Sequence, residues 1–279
     1  MNIPSIAILI TSHNRSKFTY KCIEHIYNQS EAGNTYYFKI FLVDDNSSDG
    51  TPDLIKSKFP DVQLIYGDGN LFWNRGMNKA WNAACNFKKF DFFLWLNDDT
   101  FLYENAIVIL LSTITSSSIV AGSTCSTIGS NITYGGYVNN HVLLIPNNQI
   151  QKCHYFNGNC VLIPYDVYNR LGLLDAAFHH ALGDFDYGRR ARKLNIDLLV
   201  APASIGVCES HQEIPNWTNP KYPLLKRTSF LYHPLSGCHP RELFKFEKRH
   251  FGILTALYHY FTIHLRLFFP CLNKIKPLK

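Results

Sequence analysis

The chain has 279 residues, 46% of them hydrophobic and 17% charged, a balance that suits a large globular domain and excludes a disordered or collagen-like protein. The formal net charge of +6 sits in the C-terminal tail: from Arg241 onward, Lys or Arg stands at 241, 245, 248, 249, 266, 274, 276 and 279 against only Glu242 and Glu247. The body is therefore neutral, and no nucleic-acid partner is expected, because such enzymes line the active cleft with basic groups.

The chain enters a strand-like run at 5–10 with no basic segment before it, so no secretory signal is expected. Apolar runs rich in Ile, Val and Phe at 6–10, 39–43, 62–66 and 92–96 predict strands, and 17–28, 52–58 and 76–87 predict helices between them. Thr51 before Pro52 places a capping residue ahead of a proline at the first helical position. This alternation predicts an α/β fold with a mainly parallel sheet, helices on both faces, and chemistry at the carboxyl ends of the strands. Residues 115–165, rich in Thr and Ser with a turn at 138–142, predict a less regular, partly antiparallel region. Helices are expected at 165–171 and 184–194 and a strand at 197–201. Eight cysteines, none spaced as C-x-x-C, argue against a zinc ribbon or redox pair and for reduced thiols in the cytoplasm. No repeat or low-complexity linker interrupts the chain, so one domain over 1–240 and a tail over 241–279 are expected.

Each of the first four predicted strands ends in short polar residues: Thr-Ser-His-Asn-Arg at 11–15, Asp-Asp-Asn-Ser-Ser-Asp-Gly at 44–50, Gly-Asp-Gly-Asn at 67–70 and Asn-Asp-Asp-Thr at 97–100. Turn formation accounts for any one of these loops, but poorly for four on one edge, two with paired aspartates. Adjacent carboxylates suit a hard cation such as Mg²⁺ or Mn²⁺, which also binds substrate phosphates. Neither a P-loop nor a G-x-G-x-x-G after the first strand is present, which leaves a metal-held diphosphate.

The stretches 7–15, 43–51, 96–100 and 183–187 (Gly-Asp-Phe-Asp-Tyr) resemble, in order and spacing, the motifs of family 2 glycosyltransferases with the GT-A fold. The stretch 67–76 is similar to a subgroup of bacterial surface-polysaccharide enzymes, and the likeness covers roughly 3–211. The resemblance implies an inverting, metal-dependent hexosyl- or deoxyhexosyltransferase. Its donor would be a nucleotide-diphosphate sugar, UDP- or dTDP-linked rather than GDP-linked, and its acceptor a saccharide or lipid-linked saccharide. It implies a nucleotide-sugar half over 1–100 and an acceptor-side half over 101–240. Thr11 and Asp45, with Asn14 and Arg15 nearby, would contact the donor's nucleoside. Asp98 would hold the donor's ribose or sugar, and Asp99 would coordinate the metal, with His211 as a further ligand. Asp184 corresponds to the catalytic base, the better candidate because Gly183 stands where many members have Glu, and Asp186 becomes either a supporting group behind the site or an acceptor-side group. The family's base-contacting arginine near 71–73 has its nearest counterpart in Arg75. Trp73, Trp81 and Trp95 read as core packing, whereas Trp217, in the loop 214–220, is an acceptor-stacking candidate.

Two alternatives stay open. A non-catalytic nucleotide-sugar-binding scaffold is disfavoured by retention of Asp98, Asp99 and Asp184 together. A sugar nucleotidylyltransferase needs a Gly-rich basic loop after the first strand, and 11–15 contains no glycine. In the tail, 251, 254, 258, 261, 265, 268 and 272 are apolar at alternating steps of three and four, which places them on one helix face. His259, His264 and Arg266 interrupt the segment, so it is not expected to span a membrane. A basic helix with an aromatic face suits peripheral attachment to an anionic membrane surface, at the inner face of the cytoplasmic membrane. The competing role for that face is packing on the catalytic body or on a second copy in a homodimer.

Overall fold

The computed structural model describes residues 3–128, 131–210 and 216–274. Strand β1 (Ser5–Ser12) is apolar on both sides because both sides are covered. Ala7 and Leu9 enter one core, while Ile6, Ile8 and Ile10 enter the other. Helix α1 (Ser16–Tyr27) covers the second face with Cys22, Ile23 and Ile26. Strand β2 (Tyr37–Asp44) divides in the same way, Phe41 and Val43 against Ile40 and Leu42, and α2 (Thr51–Lys58) adds Ile55 to the second core. After β3 (Gln63–Tyr66), α3 (Phe72–Phe87) covers the first face with Met77, Ala80, Trp81 and Ala84, followed by β4 (Phe92–Leu96). Strands buried on both faces read as continuous apolar runs, which is why these four are legible in the sequence.

The short β5 (Phe101–Leu102) precedes α4 (Ala106–Thr113) and the fully buried β6 (Ser118–Cys125). Short strands follow: β7 (Ile132–Tyr134), β8 (Gly136–Val138), β9 (Val142–Leu143), β10 (Gln151–Lys152) and β11 (Tyr155–Phe156). Then come β12 (Cys160–Pro164), α5 (Tyr165–Leu171), α6 (Gly183–Lys193) and β13 (Asp197–Val207). The main sheet runs β10-β13-β6-β12-β4-β1-β2-β3, with β5 on β13 and β7 on β6; β11, β8 and β9 form a separate small sheet. Neighbours from β4 through β1 and β2 to β3 are parallel, as are β6 and β13, and β12 runs antiparallel between β4 and β6.

Three local expectations change. Helix α3 begins at Phe72 rather than 76, and β13 continues to Val207 rather than 201. Thr51 is not the cap of α2: that place is taken by Gly50 at φ +80°, and Asp49 accepts from the Thr51 backbone N–H at 3.1 Å.

By its contacts the chain divides into one unit of residues 1–176 and 184–210 and another of 177–183 and 211–279, so a boundary at 240 falls inside the second unit. That second unit contains α7 (Leu224–Leu231), α8 (Pro240–Phe251) and α9 (Ile253–Phe268). Gly252 at φ +95° breaks the helix that the periodicity predicts from 251, so Phe251 belongs to α8. Ile263 and Leu267 of α9 pack with Leu231 and Trp217. The histidines of α9 are used internally: His259 Nδ1 lies 2.5 Å from Glu247 Oε1, and His264 Nε2 2.7 Å from the Tyr232 hydroxyl. The opposite face, Leu254, Tyr258, Phe261, Leu265 and Phe268, is left 48–79% exposed. Among the described residues no helix is long and apolar enough to cross a membrane.

Candidate functional site

Parallel pairing aligns the carboxyl ends of β1 and β2, with Ser12 opposite Asp44, and β4 lies on the other side of β1. The polar residues that follow these strands therefore collect along one edge. Asn14, at φ +52°, clasps the loop after β2: its N–H donates to Ser47 Oγ at 2.9 Å, and its Oδ1 accepts from the Ser48 N–H at 2.7 Å. His13 Nδ1 lies 2.6 Å from the Asp45 carbonyl and completes the clasp.

Asp45 is 4% exposed and anchors the next loop. Its Oδ1 accepts from Gly69 N–H at 2.8 Å, and its Oδ2 from Leu71 and Phe72 N–H at 2.9 and 3.1 Å. A side chain at Gly67 could not fit, since its Cβ would fall 2.4 Å from Asp45 Oδ1. Phe72 takes a left-handed φ of +56°, a conformation that costs a bulky residue about 1–3 kcal/mol and is held by these bonds. Both oxygens of Asp45, expected at the donor's nucleoside, hold backbone of this loop. Thr11 is half-buried against α3, where a Cβ on Gly76 would lie 2.1 Å from its Oγ1, so the close approach requires glycine.

At the end of β4, Asp98 and Asp99 are 5% and 7% exposed. Two adjacent carboxylates at that depth need a cation, and Arg15 supplies one. Its Nη2 donates to Asp99 Oδ2 at 2.8 Å, and its Nη1 lies 3.5 Å from Asp98 Oδ1. Burial pushes the Asp98 carboxyl up to about 6, against the opposing pull of Arg15. Cys208 faces Asp99 with its Sγ 3.6 Å from Oδ1; burial raises the thiol to about 12, so it stays protonated as a donor. Asn97 ties this turn to its neighbours: its N–H donates to the Asn159 carbonyl at 2.9 Å, and its Oδ1 accepts from Trp73 Nε1 at 2.7 Å.

Asp184, at the start of α6, is half-buried. Its Oδ2 accepts from Gly158 N–H at 2.9 Å and its Oδ1 from Phe185 N–H at 2.8 Å. Burial raises its pKa to about 6, against these bonds. Asp184 is thus fastened one residue from Asn159, which in turn holds Asn97 beside the aspartate pair.

The other expected site residues divide. Asp186 is fully buried and accepts from Arg190 Nε at 2.8 Å, while Arg190 also donates to the Leu171 and Leu173 carbonyls. It is a clamp inside the first core, not an acceptor-side group. Trp217 is 6% exposed and packed among Leu231, Ile263 and Leu267, so it offers no open face for stacking. Arg75 donates from Nε to the Ala176 carbonyl at 2.9 Å. His211 lies outside the described residues. Trp73, read as core, is only half-buried and reaches Asn97; the nearby motif 67–76 marked its region but not its contact.

The hard oxygens of Asp98 and Asp99, already facing a cationic group, fit a divalent cation. Among the described residues no group of three His, Cys, Asp or Glu side chains forms a cage. Asp99 with Asp98 would hold such an ion, and substrate phosphates and water can complete its shell, as is usual for Mg²⁺.

Residues 7–184 match the family model described as Glycosyl transferase family 2. Among solved structures, S. aureus TarS 1-349 in complex with UDP-GlcNAc is 12% identical with a TM-score of 0.56, covering 88% of this chain and 72% of that one. The mannosyltransferase PcManGT from Pyrobaculum calidifontis, in complex with GDP-Man and Mn²⁺, is 13% identical with a TM-score of 0.55, covering 100% and 77%. GalNAc-T7 with UDP, GalNAc and Mn²⁺ is 14% identical with a TM-score of 0.57, covering 95% and 58%. At these identities the likeness establishes a shared GT-A fold. No curated protein matches the chain.

The anchoring role of Asp45 is directly measurable. Asp45→Ala should lose about 1.5–3 kcal/mol of stability in urea unfolding, the range for hydrogen bonds to a charged group. It should also speed amide exchange at Gly69, Leu71 and Phe72 more than elsewhere.

Proposed function

Because the chain belongs to glycosyl transferase family 2, we propose that it is an inverting, metal-dependent transferase working in cell-surface polysaccharide synthesis. It moves a hexosyl or deoxyhexosyl group from a UDP- or dTDP-linked donor to a hydroxyl of a saccharide or lipid-linked saccharide. The observation that carries this reading is the pairing of two kinds of carboxyl at one sheet edge. Asp98 and Asp99 lie buried against Arg15, and Asp184, hydrogen-bonded to Gly158, is held close by with its pKa raised to about 6. The neighbours' complexes, one with UDP-GlcNAc and another with GDP-Man and Mn²⁺, support a nucleotide-sugar donor of either base class and a divalent metal.

In this mechanism Thr11, Asn14 and Arg15 line the donor side, and Arg15 adds a fixed positive charge where the diphosphate gathers negative charge. Asp99, with Asp98, would hold Mg²⁺ or Mn²⁺, and the bound ion would act as a Lewis acid toward the leaving diphosphate. Asp184 accepts the proton of the attacking hydroxyl. A carboxyl raised to about 6 is still ionised at neutral pH yet more basic than an ordinary aspartate. One displacement with the base on the acceptor side inverts the anomeric centre.

The second unit supports a peripheral place on an anionic membrane, at the inner face of the cytoplasmic membrane where lipid-linked acceptors reside. The exposed stripe of α9 is apolar and aromatic, and both acids of α8 are buried, Glu242 against His179 and Glu247 against His259. The charges these helices show outward are therefore basic. Each basic group near an anionic surface contributes about 1 kcal/mol, and the aromatic stripe adds the apolar term.

Chelation with EDTA should abolish transfer and Mn²⁺ or Mg²⁺ restore it, while Asp99→Ala stays folded but loses activity and metal-dependent protection of the protein by UDP in thermal shift. Asp184→Asn should lose on the order of 10²–10⁴-fold in rate with donor affinity nearly unchanged. In the wild type kcat/KM should fall as the pH drops below about 6, because protonation removes the base; NMR of the product should show inversion. Vesicles containing phosphatidylserine should co-sediment the protein less as salt rises, and not at all after Tyr258→Asp with Phe261→Asp. Retained binding by that double variant would exclude the α9 stripe.

A further inference from the structure

Trp73 links the two carboxyl-bearing turns. At one end its Nε1–H donates to Asn97 Oδ1 at 2.7 Å, beside Asp98. At the other, its benzo ring presses on the backbone of Gly158: a Cβ built there would lie 2.4 Å from both Cζ2 and Cη2 of Trp73 and 3.3 Å from Cβ of Asp184. Gly158 also donates its N–H to Asp184 Oδ2 at 2.9 Å. The ring, the glycine and the base candidate thus meet within a space too small for a methyl group. Behind the indole, Trp95 packs edge-on at 6.1 Å between ring centroids, so the ring is backed by the core and cannot retreat.

We propose that Trp73 is a positioning residue: pinned to Asn97 and pressed on Gly158, its ring forms a wall on one side of the Asp184 carboxyl that limits its contact with water and fixes it relative to the aspartate pair. This rests on the reading of Asp184 as the base. A carboxylate screened from water is more basic and meets an incoming sugar hydroxyl rather than solvent. The other titratable groups around Asp184 do not supply this effect. Tyr137 of β8, held up to about 12 chiefly by burial, is neutral near pH 6. On α6 itself Asp186 is paired with Arg190, and Arg189 is a cation, which would lower rather than raise a neighbouring carboxyl. Burial is the largest cause of the Asp184 shift, and only the hydrogen bonds oppose it.

The test is a carbon-13 carboxyl titration of the full chain labelled at aspartate, with the Asp184 signal assigned by its loss in Asp184→Asn. The wild-type midpoint is expected near 6. In Trp73→Ala it should fall toward the ordinary carboxylate value of about 4, because water reaches the group. Asn97→Ala removes the acceptor of the Nε1 bond while leaving the whole indole against Gly158, and should stay near the wild-type midpoint. If Trp73→Ala is too unstable to titrate, Trp73→Leu is read by the same criterion. An unmoved midpoint in the truncated variant overturns the proposal, as does a wild-type midpoint already near 4. A fall in Asn97→Ala as large as in Trp73→Ala also overturns it, by assigning the effect to the lost hydrogen bond. The titration needs no substrate. An unmoved midpoint therefore rejects the wall alone, whereas full activity in Asp184→Asn rejects the base alone.

Discussion

Two neighbouring carboxylates at the end of a strand buried on both faces set the terms for this fold. Asp98 and Asp99 cannot both ionise at that depth without a positive partner, and the chain provides Arg15 from the end of β1. For Arg15 to reach them, β1 and β4 must be parallel neighbours with their carboxyl ends level. Parallel neighbours need crossover helices, and α1 and α3 cover opposite faces. The electrostatic demand of the site and the layered architecture are therefore one arrangement.

Around that pair, polar side chains bind backbone groups of the neighbouring loops. Asp45 spends both oxygens on the loop 67–72, Asn14 holds the loop after β2, and Asp186 is locked to Arg190. Glycines permit the close approaches, Gly76 against Thr11 and Gly158 against Trp73. The result is a rim whose polar side chains are held by hydrogen bonds to the backbone and to one another. Preorganisation of this kind is what electrostatic catalysis requires, because the dipoles and charges need not reorient during reaction.

In the second unit α9 is apolar on two sides: Ile263 and Leu267 pack inward, His259 and His264 bond to Glu247 and Tyr232, and Leu254, Tyr258, Phe261, Leu265 and Phe268 are left exposed. Burying Glu242 and Glu247 against histidines removes the negative charges that would repel an anionic surface. An exposed aromatic stripe on such a scaffold is costly in water and is compensated when it is covered.

The amino-acid sequence by itself determined the elements and the edge where chemistry collects. Strands covered on both faces leave unbroken apolar runs, and strand ends that bear ligands leave polar clusters at regular intervals, so β1 to β4 and the Asp98-Asp99 pair are legible one window at a time. Periodicity also found the stripe of α9, although it read through Gly252, whose positive φ depends on packing rather than on spacing. What each polar residue does was decided by tertiary structure. Asp45 and Asp98 look alike in the sequence, each one of two adjacent aspartates after a strand; only the backbone N–H groups folded over Asp45 turn it into an anchor. Trp73 and Trp95 likewise carry the same composition signal, and only the placement of Asn97 and Gly158 makes one a core residue and the other a bridge. Local propensity is written in neighbours along the chain, whereas burial, partner choice and pKa depend on residues brought together from distant positions.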